Sequence, residues 1–332
     1  MSNKIYEQGF FNEMQKRRYL KTFEKEKTAQ ISMRVLSRAK IIEEQYQTDL
    51  YNFNLEQIEQ LLFYLNPATL ASSRQNFFIT QSYIRWGIEQ DLRQTNINPM
   101  DAIADKEYYK KFIDKTKKTL FTIDEINDMV DICVNPQDAV VVLLLFNGAY
   151  GTIGYDELLN LTKNSLLGNN DLMLQDGNLK RVLKVSDKCY EMVEKALSQK
   201  MYIKKNGLVS SDLRSRAEAD LDQSDYVLRN VSTRSKNVGK ADLFLIQRRI
   251  AAVKSYNDLK TLTPSMIRNS GMLYMAKKMA NGRKELTKEM YHEICDHFGF
   301  KSTMNNGYKT YHFHRLKEDF LNVETIKKVY EE

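Results

Sequence analysis

The chain has 332 residues, a formal net charge of +7 and a sequence pI near 9.0. This length favours two domains that each bury a core, and the moderate basic excess gives a reason to look for an acidic partner. No apolar run approaches the ~20 residues of a membrane-spanning helix, and the N-terminus has no secretory signal pattern, so we expect a cytoplasmic protein that does not use a membrane.

Lysine and arginine residues are concentrated in three segments of the chain. These segments are Lys16 to Lys21, Lys110 to Lys118 and Arg229 to Arg249. A single basic cluster is more often a solvated helix face, but three clusters separated by whole elements favour a polyanion partner.

The first hundred residues have apolar residues at three-and-four spacing, which predicts helices. Phe10 to about Tyr46 is predicted as one or two helices, and Asn54 to Leu65 as another. A further helix is predicted after Asn66-Pro67, with Ser72 or Ser73 as its cap. Residues 106–118 are rich in lysine and poor in large aliphatic residues, which indicates a linker. The predicted domains are therefore residues 1–105 and 119–332.

The second domain is predicted to open with a helix at Thr122-Ile-Asp-Glu125, a capping-box pattern. An apolar helix at Ala139–Asn147 follows, then a short amphipathic helix at Tyr155–Leu161. Leu172–Leu174 and Val182–Val185 flank a turn-forming segment and predict a hairpin. Helical spacing resumes at Ser186 and continues, with breaks, to the end of the chain.

Several motifs in this second domain resemble, in order, the landmarks of the tyrosine recombinase (phage integrase) family. Phe146-Asn-Gly-Ala-Tyr-Gly-Thr-Ile-Gly-Tyr-Asp-Glu-Leu follows an apolar helix where the family has Thr-Gly-Leu-Arg-x-x-Glu-Leu, and Arg181-Val-Leu-Lys-Val is similar to its strand motif. Thr263-Pro-Ser-Met-Ile-Arg-Asn-Ser-Gly resembles the second arginine box, and Gly299-Phe stands where Gly-His is usual. The resemblance implies a mainly α, two-domain clamp: a helical core-binding domain and a larger helical catalytic-like domain with a small β-sheet.

The residues that carry the family's chemistry are mostly replaced. Gly154 falls at the first arginine, Asp176 near the lysine, and Ser265 and Phe300 at the two histidines, while Arg268 is retained. Cleavage by a tyrosine needs the phosphate oxygens neutralised and a proton for the leaving hydroxyl, and each such contact is typically worth about 3 kcal/mol. We therefore expect no catalysis.

Two tyrosines are candidates for the vestigial nucleophile. Tyr308 and Tyr311 lie in Gly-Tyr-Lys-Thr-Tyr-His-Phe-His, and the register between them is open. Either is more often a packing residue than a nucleophile. Arg268 could pair with a core carboxylate or grip a phosphate without reaction.

Within the family, the sequence most resembles the integrase-like repressors that maintain lysogeny in SPβ-type bacteriophages. The resemblance implies a transcriptional repressor in the nucleoid of the host cell that occupies double-stranded DNA operators. The predicted phosphate contacts are Lys16, Arg17, Arg234, Lys236, Lys240 and Arg268, and the predicted groove contacts are Arg74, Gln75, Arg248 and Arg249. No cofactor is expected. The spacing of the cysteines and of the four C-terminal histidines matches no common zinc motif, so no metal is expected either.

Two other functions stay open. One is an active recombinase with Tyr311 or Tyr308 as nucleophile and Lys180 as proton donor. The other is an interaction protein that uses the old clamp surface for a protein partner. Leu316 to Tyr330 is predicted as a helix that either mediates self-association or packs on its own chain.

Overall fold

The computed structural model describes residues 9–103, 105–152, 154–208, 216–232, 239–305 and 307–331. The chain divides into two compact units, Met1–Lys117 and Lys118–Glu332. Both units are mainly helical, as predicted. Within the described ranges, no helix combines the length and apolar character needed to cross a membrane.

The first unit is built from helices around one apolar core. Its helices are α1 (Glu13–Leu20), α2 (Glu26–Tyr46), α3 (Leu55–Leu65), α4 (Leu70–Glu89) and α5 (Lys106–Lys111). The predicted caps of α4 are wrong by three or four positions. Thr69 is the cap, because its hydroxyl accepts a hydrogen bond from the backbone N–H of Ser72 at 3.1 Å.

The segment predicted as a linker is mostly part of the first unit. Tyr109 and Phe112 are buried in its core, and the Ser73 hydroxyl donates to the Tyr109 carbonyl at 2.6 Å. Downstream, the backbone N–H of Asp114 donates to the Pro67 carbonyl at 2.9 Å. The lysines of this segment take the exposed positions around those aromatic side chains, so its composition resembles that of a linker although it packs. The boundary between the units lies after Lys117.

The second unit surrounds one buried helix. Its helices are α6 (Ile123–Asp131), α7 (Pro136–Asn147), α8 (Asp156–Leu159), α9 (Asp187–Ser198), α10 (Leu243–Tyr256), α11 (Pro264–Ala280), α12 (Lys288–His297), α13 (His314–Asp319) and α14 (Val323–Tyr330). Helix α7 is buried along nearly its whole length and packs against α6, α9, α10 and α11. The capping box at Thr122 opens α6 as predicted.

Three small antiparallel sheets decorate this helical core. The first contains β1 (Leu166–Gly168), β2 (Asp171–Asp176) and β3 (Leu179–Lys184); the others pair β4 (Met201–Ile203) with β5 (Glu218–Asp220) and β6 (Ser302–Asn305) with β7 (Tyr308–Tyr311). The predicted hairpin is β2–β3, with Leu172 opposite Leu183. Hairpin β6–β7 was not predicted, because every residue of β6 is exposed and none supplies an apolar face.

The C-terminal segment packs on its own chain. It forms two helices, α13 and α14, rather than one, and Ile326 of α14 is buried in the core cluster that α11 and α12 share. The Tyr291 hydroxyl donates to the Leu321 carbonyl at 3.0 Å. Within the single chain the segment thus packs in cis, and self-association through it stays a prediction.

Candidate nucleic-acid interface

Helix α11 carries the retained arginine and is held close to α7. Thr263 caps it by accepting a hydrogen bond from Met266 N at 3.2 Å, which places Ser265 and Arg268 in its first two turns. A Cβ on Gly271 would lie 1.8 Å from the Phe146 carbonyl oxygen, so the two backbones meet at a position that only glycine permits. This contact sets α11 beside the segment that follows α7.

Arg268 is half-buried and lies between aromatic side chains. Its guanidinium carbon lies 4.5 Å from the ring centroid of Tyr150 and 4.1 Å from that of Phe300. One nitrogen, Nη2, donates to the Phe298 carbonyl at 2.6 Å, and burial lowers the pKa of Arg268 to about 10. The hydroxyls of Tyr150 and Ser265 lie 3.2 Å apart beside it. The guanidinium is therefore half-buried and takes part in the packing of the second unit, and its predicted contact with phosphate stays a prediction.

Arg181 ties the β2–β3 hairpin to the body of the second unit. Its Nε donates to Glu157 Oε1 at 2.6 Å, Nη1 to the His297 carbonyl at 2.6 Å and Nη2 to the Gly148 carbonyl at 2.8 Å. Glu157 belongs to the Glu-Leu pair of the first landmark. In this chain the cation that pairs with its carboxylate is Arg181 of β3. From the sequence, Arg181 was identified only as part of a strand motif. Its hydrogen-bond partners come from three other parts of the chain, and such distant partners leave no local sequence signal.

The two candidate tyrosines have different environments. Tyr308 is 77% exposed, whereas Tyr311 is 8% exposed and donates its hydroxyl to the Asp296 carboxylate, which also accepts from Lys309. Burial, followed by the hydrogen bond to Asp296, raises the pKa of Tyr311. A phenol that is harder to ionise and faces a carboxylate is a poor nucleophile toward a phosphodiester.

Histidines of this region are engaged in packing. His297 Nε2 lies 2.9 Å from the Asn147 carbonyl oxygen, and burial lowers its pKa. The His292 ring packs edge-on against Tyr311 with centroids 5.6 Å apart. In the described part of the chain, no three His, Cys, Asp or Glu side chains group as metal ligands would.

Lys16, predicted as a phosphate contact, is instead a buried residue of the first unit. Its side chain is 0% exposed, and Nζ lies 2.5 Å from Glu43 Oε1 and 2.8 Å from Asp49 Oδ1. Tyr83 also donates to Asp49 at 3.0 Å. The sequence shows a basic run around Lys16, but the helical turn points this lysine at two carboxylates that lie far along the chain.

Arg249, predicted as a groove contact, is also buried. It pairs with Asp138 Oδ1 at 3.2 Å, and its guanidinium carbon lies 4.1 Å from the Tyr202 ring centroid. The neighbouring Arg248 points outward with its side chain 58% exposed, 3.8 Å from Asp242. Successive helical residues diverge by about 100°, so only one of the two arginines can face a ligand.

The remaining predicted DNA contacts are distributed over both units. Arg17 is exposed and pairs with Glu13 at 2.6 Å, Arg74 lies over the Tyr109 ring at 5.8 Å, and Gln75 is exposed on α4. In the second unit, Lys240 bonds Asp156 at 2.9 Å. Arg234 and Lys236 lie outside the described residues. These contacts stay predictions.

The exposed face of α10 contains, beside the predicted Arg248, residues that sequence reasoning missed. Phe244, Gln247, Arg248 and Ala251 recur at helical spacing and are all exposed, Phe244 by 57%. A single exposed phenylalanine is ordinary on a protein surface, so what distinguishes this face is the combination of its side chains. The three-and-four spacing of these residues could have revealed this face from the sequence. The adjacent pair Arg248 and Arg249 is the more conspicuous feature there.

Comparison with known proteins gives matches along nearly the whole chain. Residues 10–89 match the family described as "MrpR, N-terminal core-binding domain" and residues 120–331 that described as "MrpR, C-terminal catalytic domain". The chain is 30% identical over 327 residues to the "SPbeta prophage-derived uncharacterized protein YopR" of Bacillus subtilis (strain 168), covering 97% of both chains.

Two solved structures are similar at low identity. One is a lambda integrase dimer bound to a COC′ core site, with a TM-score of 0.49, 13% identity, and coverage of 88% of this chain and 74% of that chain. The other is the XerA recombinase, with a TM-score of 0.36, 14% identity, and coverage of 88% and 93%.

Proposed function

The chain belongs to the MrpR family and has a tyrosine recombinase-like fold, and we propose that it is a sequence-specific double-stranded DNA-binding transcriptional repressor that does not cut DNA. The observation that carries this proposal is the state of the retained cation: Arg268 packs against the Tyr150 and Phe300 rings and donates one N–H to the Phe298 carbonyl. A phosphate held for cleavage needs several cations aimed at its oxygens, and of those in the family's motifs Arg268 alone is kept here.

Two further features support a loss of cleavage. Asp176, near the position of the family's lysine, accepts a hydrogen bond from Thr152 N at 2.7 Å and supplies a negative charge where a proton donor is needed. Tyr311 donates its hydroxyl to Asp296. Loss of several transition-state contacts together removes orders of magnitude of rate even when the effects are not additive.

The exposed face of α10 supports recognition of a specific DNA sequence. Arginine binds the major-groove edge of guanine, glutamine binds that of adenine, and apolar side chains contact the thymine methyl group. Arg248, Gln247 and Phe244 provide one side chain of each kind on a single face. A role in a phage agrees with the relative described as SPbeta prophage-derived. The proposed repressor would therefore act to maintain lysogeny.

Genomic footprinting of the protein in a lysogenic host tests the regulator role. A repressor occupies discrete, repeated sites near promoters, and the same sites shift in a gel with the purified protein. Occupancy at a single attachment-like site, without transcriptional change on deletion, contradicts the proposal.

A nicked suicide duplex carrying a footprinted site tests for cleavage. An inactive protein leaves no covalent protein–DNA adduct, and Tyr311→Phe behaves identically. A tyrosine is present in the stretch where the family has its nucleophile, which keeps a recombinase as the second candidate function, and an adduct that is lost in Tyr311→Phe identifies it.

A further inference from the structure

A cleft of about 810 Å³ opens in the second unit, and Phe300, which packs against Arg268, is one of its lining residues. Hairpin β2–β3 forms one wall, the segment that leads from α12 into β6 forms the other, and Arg181, His297 and Gly299 are among the lining residues. Because Arg181 bonds both Glu157 and the His297 carbonyl, the hairpin is fixed to the end of α12. The two walls are therefore held at a constant separation.

The carboxylates of this cleft are largely engaged. Glu157 pairs with Arg181, Asp296 accepts from Lys309 and Tyr311, and Asp176 accepts from a backbone N–H. Glu293 is the remaining lining carboxylate. The negative charge that the cleft presents to a ligand is correspondingly small.

In the part of the chain that the structure describes, more lysines than carboxylates of this cleft lack a partner. Lys180 on β3 and Lys301 before β6 are exposed, and neither ammonium has a hydrogen-bond or ion-pair partner among the described residues. Lys184 donates to the Asn169 carbonyl at 2.9 Å and pairs with Asp171 at 3.9 Å. The two unpaired ammonium groups of Lys180 and Lys301 against Glu293 leave the opening with a net positive charge, and lysine binds phosphate as a mobile point charge.

We propose that this cleft binds the phosphate backbone of duplex DNA through Lys180 and Lys301. This inference rests on the proposed DNA-binding function and assigns it a phosphate site. The site is non-reactive, because it lacks an ionisable nucleophile: the Tyr311 hydroxyl is held by Asp296. The lysines of the two walls contact backbone phosphates on either side of the cleft.

The test measures binding of a fluorescein-labelled 24-base-pair duplex of mixed sequence by anisotropy between 50 and 300 mM NaCl, about the range in which phosphate contacts dominate. The full chain and the double variant Lys180→Gln/Lys301→Gln are compared. Removing one lysine–phosphate interaction reduces the slope of log affinity against log salt by about 1, so the slope of the double variant is expected to fall by about 2. A matched control, Lys195→Gln/Lys317→Gln, removes two exposed lysines of the same unit outside the cleft and is expected to leave the slope unchanged.

The outcomes separate this inference from the function on which it rests. Strong duplex binding with an unchanged slope in the cleft variant overturns the phosphate site and leaves the repressor proposal intact, and so does an equal change in the control. No duplex binding by the unaltered protein overturns both. Titration with AMP completes the test: tight AMP binding that the cleft substitutions abolish points to a nucleotide ligand and overturns the DNA assignment. Unchanged circular dichroism and melting temperature show that the variants fold.

Discussion

The guanidinium of Arg268 lies 4.1 Å from the ring centroid of Phe300, the residue that stands where the tyrosine recombinase family has its phosphate-binding histidine. The substitution does more than delete an imidazole. It supplies an apolar ring that packs against the neighbouring cation, and the ring centroid of Tyr150 also lies within 4.5 Å of that cation. The retained arginine has thus become part of the packing of the second unit.

Replacing Arg268 by leucine is therefore expected to lower the stability of the second unit. The change removes two ring contacts and the hydrogen bond to the Phe298 carbonyl, and together these predict a loss of about 1–3 kcal/mol in the free energy of unfolding. Urea unfolding followed by circular dichroism measures the loss. Arg268→Lys keeps the charge but not the planar fork, so its free energy of unfolding should lie between those of the leucine variant and the unaltered protein. A stable leucine variant with a reduced salt slope in duplex binding would show that Arg268 contacts phosphate after all.

Arg248 and Arg249 offer a matched pair on one helix. Arg248→Ala is expected to weaken operator binding by about 1–3 kcal/mol while changing stability by less than about 0.5 kcal/mol. Arg249→Ala leaves Asp138 uncompensated in the core and is expected to cost about 3–5 kcal/mol of stability. Gel shift on a footprinted operator and urea unfolding of both variants distinguish the two roles. The reverse pattern contradicts the placement of α10.

The buried Lys16 network predicts a pH dependence of the first unit. Two carboxylates, Glu43 and Asp49, share one ammonium, and Tyr83 and Tyr51 face the same group. Burial, partly offset by Lys16 and reinforced by Asp49, raises the pKa of Glu43 from 4.5 to about 7. The native state then holds a proton that the unfolded chain releases, so the free energy of unfolding falls as pH rises from about 4.5 to about 7 and levels off above that.

The chain's single tryptophan, Trp86, lies in the first unit and reports its unfolding by fluorescence. Glu43→Gln keeps an acceptor for Lys16 and for the Leu50 N–H, and it should remove this component of the pH dependence. Identical pH profiles for Glu43→Gln and the unaltered protein would show that Glu43 is ionised throughout.

Gly271 sets the distance between α7 and α11. An alanine there places its Cβ 1.8 Å from the Phe146 carbonyl oxygen, so the helices must separate. Forced overpacking of this kind costs about 1–3 kcal/mol, measurable as a lower urea midpoint. Asn269→Ala, two positions earlier on the half-exposed side, is the control and should change stability by less than about 0.5 kcal/mol. Equal stability of Gly271→Ala would mean that the helices are not in backbone contact.

The fold was largely predictable because its signals are local. Capping at Thr122, the apolar run of α7 and the Leu172–Leu183 hairpin each depend on residues close in sequence, and the family landmarks lie on these elements. Hairpin β6–β7 and helix α5 were missed. The first has no apolar face, and in the second the buried Tyr109, like Phe112 just after the helix, stands among exposed lysines.

The sequence by itself determined the helical class and the replacement of the family's catalytic residues, since residue type at a motif position decides which chemistry is possible. Only the tertiary structure decided which cations are available to a ligand. Lys16 and Arg249 are buried against carboxylates that are 27 and 111 residues distant, whereas Lys180 and Lys301 meet at one cleft. Charge counts along a chain do not contain this information, because burial and pairing depend on side chains that only folding brings together.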